Sequence, residues 1–183
     1  HLHVQVGVAA SKSLMQQRMP AYRCPSDVAP TTNTNRDDFP YTGSSSNPLA
    51  TSNYLAANGS FDLEALPTPA ATRGAFIENT GRNFSDFLDG TSNTICLGER
   101  RWTIKRTDGT FNTVGAGVVW GIERRNAVGT RADVAGCGRV KINNNAVNEG
   151  TTNWARRGFS SQHPGGAQFT LGDGSVRFIA ETI

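Results

Sequence analysis

With 183 residues the chain has the length of one domain and can bury a core without help from metals or disulfides. Only 37% of its residues are hydrophobic, glycine numbers 20 and mean hydropathy is −0.41, which speaks against a helical bundle and for short strands joined by long polar loops. The net charge of +3 comes without a basic run, because Arg100-Arg101, Arg124-Arg125 and Arg156-Arg157 stand far apart, so a nucleic-acid footprint is excluded, and no apolar run approaches the length of a membrane span.

The opening "HLHVQVGVAA" alternates, with Leu2, Val4, Val6 and Val8 on one face, and predicts a half-buried strand. His1 and His3 share its other face and read as terminal polar residues rather than metal ligands. "SKSLMQQRM" predicts a short helix capped by Ser11 or Ser13 and ended at Pro20. "AYRCPSD" reads as extended to Pro25, then turned at Ser26-Asp27. Residues 29–51 are predicted to be a long polar loop, of a length that suits an interface. "SNYLAANGS" predicts a short strand with a turn. The stretch from Phe61 to Arg82 reads as irregular, since Pro67 and Pro69 forbid a regular helix through it. Asn83 or Ser85 caps one helical turn, Asp89-Gly90 breaks it, and Thr94 to Arg100 continues as a strand with Ile95 and Leu97 inward. "GAGVVWGI" is a further strand candidate, and residues 129–153 read as loop. In the last stretch Ala167, Phe169 and Leu171 alternate, as do Val176, Phe178 and Ala180. "GDGS" between them predicts a hairpin, with Pro164-Gly165-Gly166 turning the chain into its first strand. The expected class is α+β and β-rich: an antiparallel sheet with long polar loops and short helices, as one domain over residues 1–183. The chain opens at His1 without an initiating Met or signal peptide and is expected to be a trimmed or processed product.

Motifs for chemistry are sparse. There is no phosphate-binding glycine loop, no GxSxG and no HExxH. A Ser-His-Asp triad would have to combine His163 with Ser160 or Ser161 and Asp173, and no spacing demands it. The favoured role is structural: His163 donates a ring N–H to a carboxylate or carbonyl, and Asp173 accepts backbone N–H groups in its turn. A metal or active site at His163 is the competing reading. Glu99, which follows Gly98 in a strand, is expected to pair with Arg100 or Arg177. Asp37, Asp38, Asp86, Asp89, Glu99 and Asp173 are oxygen donors for a calcium site, although they match no EF-hand spacing. Cys24, Cys96 and Cys137 contain no CxxC pair, which argues against a zinc site built mainly on thiolates. The odd count fits one disulfide and one free thiol in an exported chain, or three reduced thiols. Export predicts a bridge from Cys24 to Cys96 or Cys137. Trp102, Trp120 and Trp154 offer stacking surfaces for a glycan or peptide, or simply pack.

Four stretches in order, "CPSD" (Cys24–Asp27), "NYLAANGS" (Asn53–Ser60), "FSDFLDGTSNTICLGER" (Phe84–Arg100) and "SSQHPGGAQFTLGDGSVRFI" (Ser160–Ile179), resemble the prepilin-type processing-associated H-X9-DG domain family. The signature is His163, nine residues, then Asp173-Gly174, together with Asp89-Gly90 in "DGTSNT" and Glu99 in "GER". The resemblance implies a secreted or cell-surface, pilin-like or pseudopilin-like head, not an enzyme. The head would assemble with like subunits into a filament or envelope layer, reach a membrane only through an N-terminal helix absent from this sequence, and use no cofactor. An extracellular module binding glycan, peptide or calcium is the alternative, and a hydrolase using His163 as base is a further rival.

Overall fold

The computed structural model describes residues 9–38, 47–60, 74–76, 81–120, 131–147 and 154–183. Helix α1 (Ala9–Gln16) leads into a 3-10 turn at Pro20–Tyr22, where Pro20 supplies the fixed φ that suits a first helical position. The strands are β1 (Thr32–Asp38), β2 (Pro48–Ser52), β3 (Tyr54–Gly59), β4 (Ile95–Glu99), β5 (Thr103–Lys105), β6 (Phe111–Thr113), β7 (Gly117–Val118), β8 (Ala135–Cys137), β9 (Gly166–Leu171) and β10 (Val176–Ala180). A short helix, α2 (Arg131–Val134), precedes β8. The fold is therefore β-rich with short helices. No helix among the described residues is long and apolar enough to cross a membrane.

The principal sheet has the order β10-β9-β4-β3-β8, antiparallel except for the β3–β8 pair. Cross-strand partners share a face. Leu55 lies opposite Gly98, and Gly98 opposite Phe169, so one face carries Leu55, Ala57, Ala167 and Phe169. Phe159 closes over this face and meets Phe169 edge-on, with ring centroids 5.2 Å apart. The ring fits because Gly98 and Gly136 leave it room: a Cβ on either would approach Phe159 to 2.6 Å. Burial of such side chains contributes about 1.5–3 kcal/mol each.

The other face is set by a bulge. Ile95 lies opposite Leu171, but Leu97 lies opposite Thr170, so one extra residue enters β4 between them. Ile95 accordingly packs on the core, whereas Leu97 and Glu99 turn to the opposite face with Tyr54, Thr170 and Val176. The expectation that Ile95 and Leu97 both point inward is corrected by this bulge.

The predicted loop over residues 29–51 contains β1 and β2, which join β7 in a three-stranded sheet. Its polar residues are buried by hydrogen bonding instead of apolar contact. Asn33, fully buried, donates to the carbonyls of Gly115 (2.7 Å) and Gly117 (2.9 Å). Arg36 reaches the Val114 carbonyl at 2.8 Å and Asp133 at 3.3 Å. The predicted loop over 129–153 likewise holds α2 and β8. The helix predicted from Ser11 or Ser13 begins at Ala9, and among its described residues "GAGVVWGI" forms a strand only at Gly117–Val118. The opening strand with His1 and His3, the segment around Pro67 and Pro69, and the side chains of Asp37 and Asp38 lie outside the described residues.

The C-terminal hairpin pairs Val176 with Thr170 and Ala180 with Gly166. Gly174 turns it at φ +83, and Gly90 occupies the same left-handed region at φ +84. The two turns meet, because the Gly172 N–H donates to the Thr94 carbonyl at 2.9 Å. The Asp89-Gly90 loop thus buttresses the hairpin.

Candidate functional site

Cys24, Glu99 and His163 converge from three separate stretches. Their ligand-capable atoms all lie within 4.8 Å of one another, and they are the one group of three or more His, Cys, Asp or Glu residues so gathered among the described residues. His163 Nε2 is 3.4 Å from Glu99 Oε1 and 3.8 Å from Cys24 Sγ.

Each side chain is held by its surroundings. The "CPSD" turn closes with the Asp27 N–H donating to the Cys24 carbonyl at 3.1 Å, and the Cys24 N–H donates to Asn53 Oδ1 at 3.1 Å. Asp27 accepts from Asn53 Nδ2 (2.6 Å) and from the Trp102 N–H (3.1 Å), which ties the turn to the strand ends. Glu99 ends β4 on the bulged face, its side chain only 3% exposed. Its Oε2 accepts the Gln168 N–H at 2.8 Å, which leaves Oε1 for the cluster. The loop before β9 carries His163, whose N–H donates to Ser161 Oγ at 3.0 Å, while that hydroxyl donates to the Gly166 carbonyl at 2.6 Å. The His163 side chain is 35% exposed. It opens into a cleft of about 450 Å³ walled by Tyr22, Pro25, Tyr54, Leu97, Thr170 and Val176.

Burial pushes the Cys24 thiol up, and the charges of Glu99 and Asp27 add to this against hydrogen bonding from Ser26. Cys24 is therefore a protonated thiol at neutral pH. Burial likewise raises the Tyr54 phenol, with Cys24 and Glu99 contributing. A Cys-His-Glu relay would place the thiol on one ring nitrogen and the carboxylate on the other. Here the same nitrogen, Nε2, addresses both, which is convergence on a point and not a relay.

The remaining candidates do other things. Asp173 is exposed and accepts the Ser175 N–H (2.9 Å) and hydroxyl (2.6 Å) within its turn, so His163 is partnered by Glu99 and not by Asp173. Ser160 and Ser161 serve the backbone: Ser160 Oγ accepts the Arg101 N–H and Ser161 Oγ holds the His163 loop. The expected pairing of Glu99 with Arg100 or Arg177 is replaced by His163. Arg100 is fully buried elsewhere and donates to the carbonyls of Gly158, Ala132 and Ala135. The disulfide expected from Cys24 is not formed: Cys24, Cys96 and Cys137 are all free. Among the described residues, the acids suggested for calcium do not gather. Asp86 accepts the Asn83 N–H in a capping box, and Asp89 is exposed in its turn. Arg139 and Arg157 both lie over the Trp154 ring, 4.8 and 5.1 Å from its centroid, so that ring already packs within the chain. Sequence reading missed Asp27, Asn53 and Tyr54, although "CPSD" and "NYLAANGS" contain them.

A family model, SBP_bac_10, described as protein of unknown function (DUF1559), matches residues 3–183. The chain belongs to the DUF1559 family. No curated protein and no solved structure matches it. The match covers all three stretches that build the cluster of this DUF1559 chain, so Cys24, Glu99 and His163 all sit within the family's own span.

Proposed function

We propose that this DUF1559 chain is a non-catalytic building block that works outside the cytoplasm, the head of a pilin-like subunit that associates with copies of itself. The observation that carries this reading is the margin of the principal sheet. Strand β10 pairs with β9 alone among the described residues and leaves Val176 63% and Phe178 48% exposed. Sheet proteins blunt such edges with charge or cover, and an uncovered apolar edge is a template for another strand. A second copy is the fitting occupant, since subunits of one kind meet through self-complementary patches. The resemblance of "DGTSNT", "GER" and the His163-to-Asp173 spacing to the prepilin-type H-X9-DG family supports the same reading.

Light scattering across a wide concentration range tests it. Concentration-dependent association is expected, and Val176→Lys with Phe178→Lys should abolish it while leaving the melting temperature within a few degrees. A strict monomer at every concentration, or association indifferent to both substitutions, overturns it. The cleft beside His163 favours a second reading, an extracellular module that binds glycan or peptide there. Calorimetry against glycan and peptide panels tests that reading, and silence across both removes it.

A further inference from the structure

We infer that Cys24, Glu99 and His163 form a three-residue site for a zinc-type divalent ion, with a fourth coordination position facing the cleft. The set mixes thiolate, carboxylate and imidazole, the three donor types that zinc accepts. Two of the three separations fit closely. A tetrahedral ion with a sulfur bond of about 2.3 Å and nitrogen or oxygen bonds of about 2.0–2.2 Å holds its ligand atoms roughly 3.4–3.6 Å apart. His163 Nε2 lies 3.4 Å from Glu99 Oε1 and 3.8 Å from Cys24 Sγ, and Cys24 and Glu99, whose ligand atoms lie within 4.8 Å of each other, draw together as the ion is seated. One ring nitrogen aimed at both partners is what a central ion requires.

The supporting contacts are those of a prepared ligand set. Outer partners that orient the ligands tune metal affinity, and losing one typically costs about 10–100-fold. Glu99 Oε2 is tied to the Gln168 N–H at 2.8 Å, so the carboxylate presents Oε1 alone. The Asn53 side chain, itself hydrogen-bonded to Asp27 at 2.6 Å, fixes the Cys24 backbone at 3.1 Å. Ser161 fixes the backbone of His163. Charge balances as well: a thiolate, a carboxylate and a neutral imidazole cancel a dication, where Glu99 with a thiolate alone would repel. Three protein ligands with the fourth place toward a cleft of about 450 Å³ leave room for water or for an oxygen, nitrogen or sulfur donor from a small ligand. The ion would also clamp the "CPSD" turn and the His163 loop onto β4, at one end of the principal sheet.

The experiment uses the 183-residue chain, stripped with chelator and titrated with Zn²⁺ by calorimetry and with Co²⁺ by absorption. One ion per chain is expected, with a thiolate-to-cobalt charge-transfer band and the strong visible bands of a four-coordinate site. Zinc should raise Tm by roughly 5–10 °C at about 100-fold excess over Kd, the linkage shift for a chain of this length. Cys24→Ser should abolish the charge-transfer band, and Cys24→Ser and His163→Ala should each weaken zinc binding by more than the roughly 10–100-fold that loss of an outer partner costs. Cys96→Ser should change neither. Far-ultraviolet circular dichroism of the stripped variants separates lost ligation from lost folding, and zinc should shield Cys24 from alkylation in the unmutated chain. Absence of the cobalt band, a band that survives Cys24→Ser, or unshielded alkylation of Cys24 under saturating zinc overturns the assignment.

Discussion

Replacing Gly98 with Ala probes the packing that makes the two faces of the principal sheet distinct. The added Cβ would stand 2.6 Å from Phe159 Cδ1 and from Phe169 Cε1, and 2.8 Å from Phe159 Cε1. Carbon atoms rest about 3.5–4.0 Å apart, so the methyl intrudes by about 1 Å on two rings at once. Both rings are buried and locked edge to face at 5.2 Å, so neither can swing aside without moving the other. Overpacking of this kind costs about 1–3 kcal/mol, and two displaced rings place the cost near the upper end. The loss of unfolded-chain freedom on replacing glycine offsets about 0.4–1 kcal/mol of it. The net is about 2 kcal/mol, which for a chain of this length lowers Tm by roughly 4–8 °C. Urea denaturation followed by tryptophan fluorescence should show a lower midpoint with an unchanged slope. In a Phe159→Leu background the same alanine should cost less than about 1 kcal/mol, because the nearer ring is gone. A Gly98→Ala protein within about 0.5 kcal/mol of the parent, or an equal penalty in both backgrounds, would refute the packing argument.

Arg100→Lys should cost about 2–6 kcal/mol, since one ammonium cannot serve the Gly158, Ala132 and Ala135 carbonyls together and at least two lose their donor at about 1–3 kcal/mol each. A Tm loss under about 2 °C would contradict this. The Asp173 carboxyl titrates below its ordinary 3.8 because the Ser175 hydroxyl and N–H donate to it. Its folded value is depressed, so its support for the hairpin turn is present above the unfolded value and is lost as pH falls through the folded one. Carbon-detected NMR should show the Asp173 midpoint moving upward in Ser175→Ala, and an unchanged midpoint would sink the assignment. Denatured but unreduced protein should expose three thiols to alkylation, and fewer would reveal a bridge. In the folded protein half-buried Cys96 should react before fully buried Cys137, and the reverse order would count against the packing described.

Apolar alternation around a glycine turn made the β9–β10 hairpin readable, and β3 and β4 were readable as strands, although the bulge turns Leu97 away from the face its alternation with Ile95 implies. Strands β1 and β2 escaped because their buried groups are polar. Asn33 and Arg36 are satisfied by carbonyls of the segment from Val114 to Gly117, some 80 residues on, and hydropathy carries no trace of such partners. Strand β8 escaped because "AGC" is small, and small residues are needed where Phe159 lies across Gly136. The members of the site were each visible for another reason: His163 and Glu99 as signature residues, Cys24 as a candidate for a bridge. Their meeting was not visible, because it depends on β3, β4 and β9 lying side by side and on where the bulge falls. The nine-residue spacing from His163 to Asp173 measures the β9 strand and its turn; it does not report a contact between the two.

The bulge in β4 makes the count of residues there matter in a way ordinary loop lengths do not. Beyond it, odd and even positions exchange sides, and this is why Gly98 backs onto the rings and Glu99 faces the imidazole although Ile95 packs on the core. Were the same sequence to run without the bulge while Ile95 stayed on the core, the acid would fall between two aromatic rings and the glycine would face the imidazole. One unpaired residue in this strand therefore binds the oily and the ionic halves of the molecule to a single choice.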